Sequence, residues 1–255
     1  MTKSFLLSAT LLASLSAVAM PATAQTPPPA VAGQSSADAR LRALYEAEWQ
    51  WRMKEYGRIK EEGEWVEGDT LPHVDAETQL RRLAYWEKTL AALKAIPVDQ
   101  LSPEERINAA VFRTNLEQDI SDAEFREWEM PFNSDSSFWS YLNPRQGYRT
   151  AEEYRRYLSR MREIPRYFDE HIVNMRAGLE RGFSVPRVTL EGRDASLVPF
   201  TSPDPAENPF YDAFEDMPDS VPEAEQAKLR AGAEAIIRKS VAPAYAELMS
   251  FIRRA

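Results

Sequence analysis

The chain has 255 residues, no cysteine and a formal net charge of −9, from 31 basic and 40 acidic side chains. Without cysteine it forms no disulfide and we expect no lipoprotein anchor, so a hydrophobic core has to stabilise the fold. The acidic balance argues against a nucleic-acid partner, because phosphates are bound by clustered Lys and Arg. The basic pairs, such as Arg155-Arg156 and Arg253-Arg254, are interleaved with acids and are typical of solvated helix faces.

The N-terminus has the pattern of a secretory signal peptide over residues 1–24. Lys3 precedes an apolar stretch from Phe5 to Met20, and the small residues Ala22-Thr23-Ala24 follow. This stretch is too short and too rich in Ser and Thr for a membrane anchor, so we expect cleavage after Ala24. Export then places the protein in the periplasm or the medium, away from the membrane. Residues 25–36 are rich in Pro, Ala and Ser and predict a disordered leader.

The composition predicts a mainly α fold without a substantial sheet, since there are only 9 glycines and few alternating β-branched runs. Apolar spacing predicts a first helix from Ala37 to about Glu62, ended by Gly63. Asp75 can cap a second helix, which Pro97 stops. A third helix begins at the capping box Ser102-Pro103-Glu104-Glu105.

The sequence makes one further prediction for the third helix and one for the segment after it. Ile107 and Val111 add apolar residues to more than one side of the helix, which predicts that it packs between neighbours. Residues 130–148 then break the helical period. They predict an aromatic loop that folds back onto the helices.

The stretch from Thr150 to Pro186 predicts a long helix that ends at a corner. Thr150 and Glu153 form a second capping box, and an apolar stripe continues to Leu179. Pro165 lies inside the stripe, where we expect the helix to kink or restart. Gly182 supplies a left-handed stop, and Pro186 follows it.

The remaining chain predicts less regular structure and one more helix. Residues 187–198 are compatible with a short helix or with a strand, and residues 199–222 contain too many prolines for a regular element, which predicts a packed loop. A last helix begins near Glu223 and bends at Pro243. We therefore expect an irregular array of long amphipathic helices joined by Pro-rich loops, with no repeat of fixed period.

No segment contains a complete set of catalytic, cofactor-binding or metal-binding residues. Zinc hydrolases place ligands at fixed spacings, but His171 is followed three residues later by Asn174, and the other histidine is His73. Surface or capping roles are the favoured interpretation of both histidines, ahead of a joint site with an acid. There is no Gly-x-Ser-x-Gly elbow and no phosphate loop. Adjacent carboxylates point about 100° apart on a helix, so the Glu pairs at helix starts are explained by capping.

Two clusters remain as candidate ligand contacts. The aromatic residues Tyr45, Trp49, Trp51 and Tyr56 could line a groove, although core packing is favoured for aromatic residues at this spacing. Three arginines surround the Gly182 corner, and paired hydrogen bonds from them could bind a substrate carboxylate. These candidate substrate contacts are Arg181, Arg187 and Arg193.

Several strings in the second half resemble a known bacterial family. MRAGLERGFSVPRVTLEG over residues 175–192, with ENPFYDAFEDMP and VAPAYAELMSFIRRA further on, resembles the family called domain of unknown function 885. The resemblance extends from about Leu41 to the last residue. Its most specific pieces are Arg176-Ala177-Gly178, Gly182, Pro186-Arg187 and Pro243-Ala244-Tyr245.

The resemblance implies an exported, largely helical protein about twice as long, similar to zinc metallopeptidases of the gluzincin type. The family's metal motif, His-Glu-x-x-Pro-Gly-His with a later glutamate, lies in the half that follows this region, and nothing here matches it. Residues 37–255 would thus correspond to the N-terminal half of a larger domain. Zinc is expected for the full-length family, with a catalytic half and a peptide substrate as partners. The alternative is a non-catalytic module that binds a peptide or a protein.

Overall fold

The computed structural model describes residues 36–133, 135–144 and 147–254. The predicted signal peptide and all of the predicted leader except Ser36 lie outside these residues. The helices are α1 (Ala37–Glu55), α2 (Ala76–Lys94), α3 (Pro103–Glu124), α4 (Ala151–Glu180), the single turns α5 (Arg187–Leu190) and α6 (Asp212–Glu215), α7 (Glu223–Ile236) and α8 (Ala242–Arg254). The strands are β1 (Arg58–Glu61) and β2 (Glu64–Glu67). The prediction of a mainly α fold is confirmed.

The first helix is shorter than the sequence predicted. It ends at Glu55, and Gly57 turns the chain with a φ of 72°. An antiparallel hairpin of β1 and β2 follows, in which Arg58 lies opposite Glu67. Its two turn residues, Glu62 and Gly63, both have positive φ, at 49° and 94°, as tight hairpins require. Extending the helix to Glu62 was therefore wrong, because Gly63 belongs to a hairpin turn.

Buried apolar side chains form two clusters. The first lies among α1, α2 and α3 and includes Leu41, Trp86 and Leu116. The second surrounds α4, and packs α7, α8 and the loops before and after α4 against its apolar stripe. The stripe predicted from Tyr154 to Leu179 is buried as far as Met175, whereas Leu179 at its end is 39% exposed. Each cluster is assembled by long helices, so no sheet core is needed.

Some predicted apolar contacts are not made. α3 packs against α1 and α2, but Ile107 and Val111 are 66% and 56% exposed. The prediction that apolar residues on several sides of α3 are covered is wrong for these two. Trp51 of α1 stacks on Tyr85 with ring centroids 3.7 Å apart, whereas Trp49 of α1 and Tyr56, the residue after the helix, are exposed. Core packing, the favoured interpretation, is therefore confirmed for Tyr45 and Trp51 and wrong for Trp49 and Tyr56.

The corner after α4 forms as the sequence indicates. The Thr150 side chain accepts a hydrogen bond from the Glu153 N–H and Glu153 accepts from the Thr150 N–H, which completes the capping box. The helix continues without a break through Pro165. At its end, the Phe183 N–H donates to the Gly178 carbonyl at 2.8 Å and the Gly182 N–H donates to that of Leu179 at 3.1 Å. With Gly182 at φ 75°, this is a Schellman motif.

The segments after the corner resolve the open sequence predictions. Residues 187–190 form the short helix α5 rather than a strand, and a 3₁₀ stretch covers Arg193–Thr201. The Pro-rich loop is packed, since Phe210 and Phe214 are fully buried. A π turn, Ile237–Val241, ends two residues before Pro243. Pro243 has no N–H and its ring crowds the carbonyl four residues earlier, and the wider turn relieves this conflict.

No helix in the described parts of the chain combines the length and apolar character that a bilayer crossing needs.

A substitution at Gly178 tests how closely the backbone is packed at the corner after α4. A Cβ at this position would lie 2.7 Å from the Phe183 carbonyl oxygen and 2.8 Å from that of Glu129. Although alanine favours a helix, we expect Gly178→Ala to lower the free energy of unfolding by about 1–3 kcal/mol, because backbone atoms must move. Urea denaturation measures the change.

Gly232→Ala is the matched control for that substitution. Its Cβ would meet only the flexible Leu158 side chain, at 3.2 Å. We expect its free energy of unfolding to stay within about 1 kcal/mol of the unsubstituted protein. Equal stability of the two variants would contradict the packing at the corner.

Candidate functional site

The polar face of α4 positions most of the charged groups in this region. It is defined by five side chains, Arg156, Arg160, Arg166, Glu170 and Asn174. Their spacing of four to six residues keeps them on one side of the helix. The polar face therefore lies on a different side of the helix from the apolar stripe. It contacts segments that precede α4 in the chain.

Two arginines of the polar face hold the β1–β2 hairpin. Arg156 forms an ion pair with Glu61. Arg160 bonds the Gly68 carbonyl, the Glu67 carboxylate at 2.6 Å and the Tyr148 hydroxyl at 2.9 Å. Both arginine residues are buried, so these acceptors replace the water that their guanidinium groups lose. The interpretation of Arg155-Arg156 as part of a solvated helix face is therefore wrong for Arg156, because this side chain turns to the hairpin.

The other three polar-face residues hold the segment Leu71–Val74. Arg166 donates to the Leu71 carbonyl at 2.8 Å. Glu170 accepts from the Val74 N–H at 2.7 Å, and Asn174 donates to the Val74 carbonyl at 2.7 Å. This segment carries His73 and leads into α2. The contacts therefore bring His73 next to a residue 97 positions later in the chain.

His73, Asp75 and Glu170 form the one cluster of possible metal ligands in the described ranges, with ligand atoms within 4.8 Å of one another. His73 Nδ1 lies 2.9 Å from Glu170 Oε1. The same oxygen accepts from Arg166 Nη1 at 2.8 Å, and this guanidinium nitrogen is 3.2 Å from His73 Nδ1. Asp75 caps α2 by accepting from the Thr78 N–H. The cation position is thus already taken by Arg166, and the cluster fits an ion-pair network better than a metal site.

The electrostatics of Glu170 agree with this assignment. Its burial favours the neutral acid, but hydrogen bonds from the Val74 N–H, Arg166 and His73 outweigh burial and lower its pKa. Glu170 is therefore a carboxylate held by its partners. No sequence pattern predicts this contact, because nothing local relates Glu170 to a loop before α2.

His171 lies elsewhere, in the core against the loop after α3. Its ring stacks on Phe138 with centroids 3.8 Å apart and meets the edge of Tyr167 at 4.6 Å. The residue is only 6% exposed, and neither ring nitrogen has a hydrogen-bond partner among the described residues. Burial lowers its pKa from 6.5 to about 3. The predicted surface or capping role is wrong for His171, which is a neutral core residue, and holds for the exposed His73.

A cavity of about 460 Å³ opens at the Gly182 corner. We call it the corner pocket. Its apolar lining comes from the end of α4, the residues after the corner, α5, the loop before α4 and the end of α8, and includes Phe132, Met175, Leu179, Leu190 and Phe251. Its charged lining consists of Glu129, Arg187, Glu191, Asp194 and Arg253.

The structure separates the three arginines predicted to bind a substrate carboxylate. Arg181 pairs with Glu129, donates to the Phe125 carbonyl at 2.9 Å and lies over the Phe183 ring. Arg193 is not part of the lining, and its buried Nε has no acceptor in the described ranges. Arg187 does line the corner pocket and is exposed. The structure therefore brings Arg187 alone of the three to the cavity.

Sequence reasoning did not find Arg253 as a residue of this region. Arg253 donates to Asp194 at 2.8 Å and ties the 3₁₀ stretch to α8. The only local hint is its place at the end of the last apolar stripe. Its partner lies 59 residues earlier, and no short motif encodes that distance.

Residues 55–255 match the family described as bacterial protein of unknown function, DUF885. The chain belongs to this family. No curated protein matches it.

A crystal structure of a candidate lipoprotein from Colwellia psychrerythraea has the same fold, with a TM-score of 0.71 at 18% sequence identity. The match covers 86% of this chain and 41% of that protein, so the chain spans less than half the length of its structural neighbour.

Arg181 and Arg187 should contribute differently to the stability of the fold. Glu129 is almost fully buried, and removing Arg181 would leave its carboxylate without its main partner. We expect Arg181→Met to lower the free energy of unfolding by about 2 kcal/mol or more, and Arg187→Met to change it by less than about 0.5 kcal/mol. Chemical denaturation of both variants measures this. Equal losses would show that Arg187 is also a structural residue.

Burial of His171 makes stability depend on pH. Its folded pKa is about 3 and its ordinary value is 6.5, so between these values the unfolded chain binds a proton that the folded protein excludes. Stability should therefore fall as pH is lowered from about 6.5, by up to about 1.4 kcal/mol per pH unit from this residue.

The variant His171→Leu isolates this contribution from the carboxylates that titrate nearby. We expect the free energy of unfolding of the variant to change less steeply than that of the original protein from pH 6.5 down to pH 4.5. Urea denaturation at several pH values gives both curves. Parallel curves would contradict the burial of a neutral His171.

Proposed function

We propose that this chain supplies the helical scaffold of an exported, zinc-dependent, peptidase-like hydrolase whose catalytic groups lie outside residues 1–255. The carrying observation is the likeness of its fold to 41% of a protein more than twice as long. Residues 55–255 also match the family described as bacterial protein of unknown function, DUF885. The resemblance to gluzincin-type metallopeptidases supplies the reaction class, and the N-terminal pattern of a charged, apolar and small-residue run supplies the export.

The chemistry of the described side chains supports a scaffold role. The cluster of His73, Asp75 and Glu170 is filled by a guanidinium, and His171 is buried in an aromatic environment. In this proposal the scaffold binds the catalytic half, and zinc and peptide are bound there.

Metal content and hydrolysis test the proposal on the chain from Gln25 onward. After dialysis we expect substoichiometric zinc by mass spectrometry and no cleavage of fluorogenic peptides, because no set of free ligands is present in the sequence. Stoichiometric zinc together with cleavage that a chelator abolishes would overturn it.

The genomic sequence downstream of codon 255 is a second, independent test. An in-frame His-Glu-x-x-Pro-Gly-His motif is expected, and the longer product should bind zinc and hydrolyse peptides. A stop codon followed by unrelated sequence would contradict the proposed catalytic half.

The alternative is a non-catalytic module that binds a peptide or a protein, and the corner pocket favours it. Such a module should unfold cooperatively and remain monomeric or specifically oligomeric on its own. Calorimetry and light scattering of the same sample decide this. Aggregation with strong bis-ANS binding would count against the alternative.

A further inference from the structure

We propose that the corner pocket binds a monocarboxylate that carries an apolar group, such as an N-blocked apolar amino acid or the C-terminal residue of a peptide. Arg187 is the carboxylate partner. This inference does not depend on zinc or on a catalytic half, because the pocket is formed entirely by described residues.

The size and lining of the pocket fit such a ligand. Its volume of about 460 Å³ falls in the range of small-molecule sites. The side chains of Phe132, Met175, Leu179 and Leu190 present apolar surface to it. A leucine- or phenylalanine-sized group would lose its contact with water there, and this burial supplies the main favourable term.

The charges of the lining select a carboxylate. Arg181 neutralises Glu129, with Arg126 at 3.4 Å, and Arg253 neutralises Asp194. Among the described residues this leaves two charged lining residues without an ion-pair partner, Arg187 and Glu191. Arg187 offers the forked donors that match a carboxylate, while Glu191 repels a second negative charge.

Contacts within the protein hold the residues that line the corner pocket in place without a ligand. The Schellman motif at Gly182 fixes the exit from α4, and Gly178 allows the Phe183 and Glu129 backbones to approach it closely. The ion pair of Arg253 with Asp194 joins the far wall to α8. A preformed site loses little conformational entropy on binding.

Calorimetric titration of the chain from Gln25 onward tests the inference. The ligands are N-acetyl-L-leucine, its uncharged amide N-acetyl-L-leucinamide, the dianion N-acetyl-L-glutamate and the tripeptide Ala-Ala-Leu. We expect saturable binding of N-acetyl-L-leucine, and at least about tenfold weaker binding of the amide and of the dianion. Tighter binding of the tripeptide than of N-acetyl-L-leucine identifies a peptide end as the source of the carboxylate, and the reverse identifies a small molecule.

Three variants assign the contacts. Arg187→Gln should weaken N-acetyl-L-leucine about tenfold and leave the amide unchanged. Leu179→Trp should abolish binding of both by filling the pocket. Arg113→Gln removes an exposed arginine on α3 and should bind as the original protein does. Melting curves establish that each variant is folded.

Three results would overturn the inference: equal affinity for the acid and its amide, equal affinity of Arg187→Gln and Arg113→Gln for the acid, or no binding of any ligand to folded protein. The assays for zinc and hydrolysis are separate from these titrations. A negative result for the zinc-dependent hydrolase therefore does not contradict carboxylate binding at the corner pocket, and the reverse also holds.

Discussion

The burial of charged side chains on α4 is the constraint on which the rest of the structure depends. The 30-residue helix packs its apolar stripe into the second core cluster, which fixes the direction of its polar face. Arg156 and Arg160 are buried by this placement and need acceptors, because an unpaired buried guanidinium would destabilise the fold strongly. The earlier segments of the chain supply those acceptors.

This requirement explains why a hairpin persists in a helical protein. A two-stranded hairpin alone is marginally stable in water, and β1 and β2 bury little of their own surface. Their carboxylates at Glu61 and Glu67 and the carbonyl of Gly68 bond the two arginines instead. The same helix then holds Leu71–Val74 through Arg166, Glu170 and Asn174. The hairpin and the linker to α2 are thus fixed by one helix face.

Features that depend on neighbouring residues could be predicted from the sequence, whereas features that depend on residues far away in the chain could not. The capping box at Thr150 and the stop at Gly182 depend on residues within one or two turns, and both were predicted correctly. The hairpin was missed because its stability comes from α4, more than 90 residues later. The burial of His171 was missed because a ring from the preceding loop, Phe138, covers it.

The candidate site also combines features that local sequence predicts with contacts between residues far apart in the chain. Three arginines near one corner look equivalent in sequence, since local spacing places all of them around Gly182. Glu129 lies 52 residues before Arg181 and engages it, which only the folded chain can show. Arg193 stands outside the lining although Asp194, its neighbour, belongs to it. Position along the chain therefore did not predict that Arg187 alone of the three lines the corner pocket.

The short motifs that carry the family resemblance can be sorted by physical cause. Gly178 admits two backbone segments, Gly182 forms the Schellman stop, and Pro243 follows the π turn that accommodates it. Each of these residues is explained by the geometry of the chain around it. Arg187 is different, because it is exposed at a cavity and has no hydrogen bond or ion pair among the described residues. The carboxylate ligand that we propose follows from this position, because an unpaired guanidinium beside an apolar cavity matches an acid that carries an apolar group.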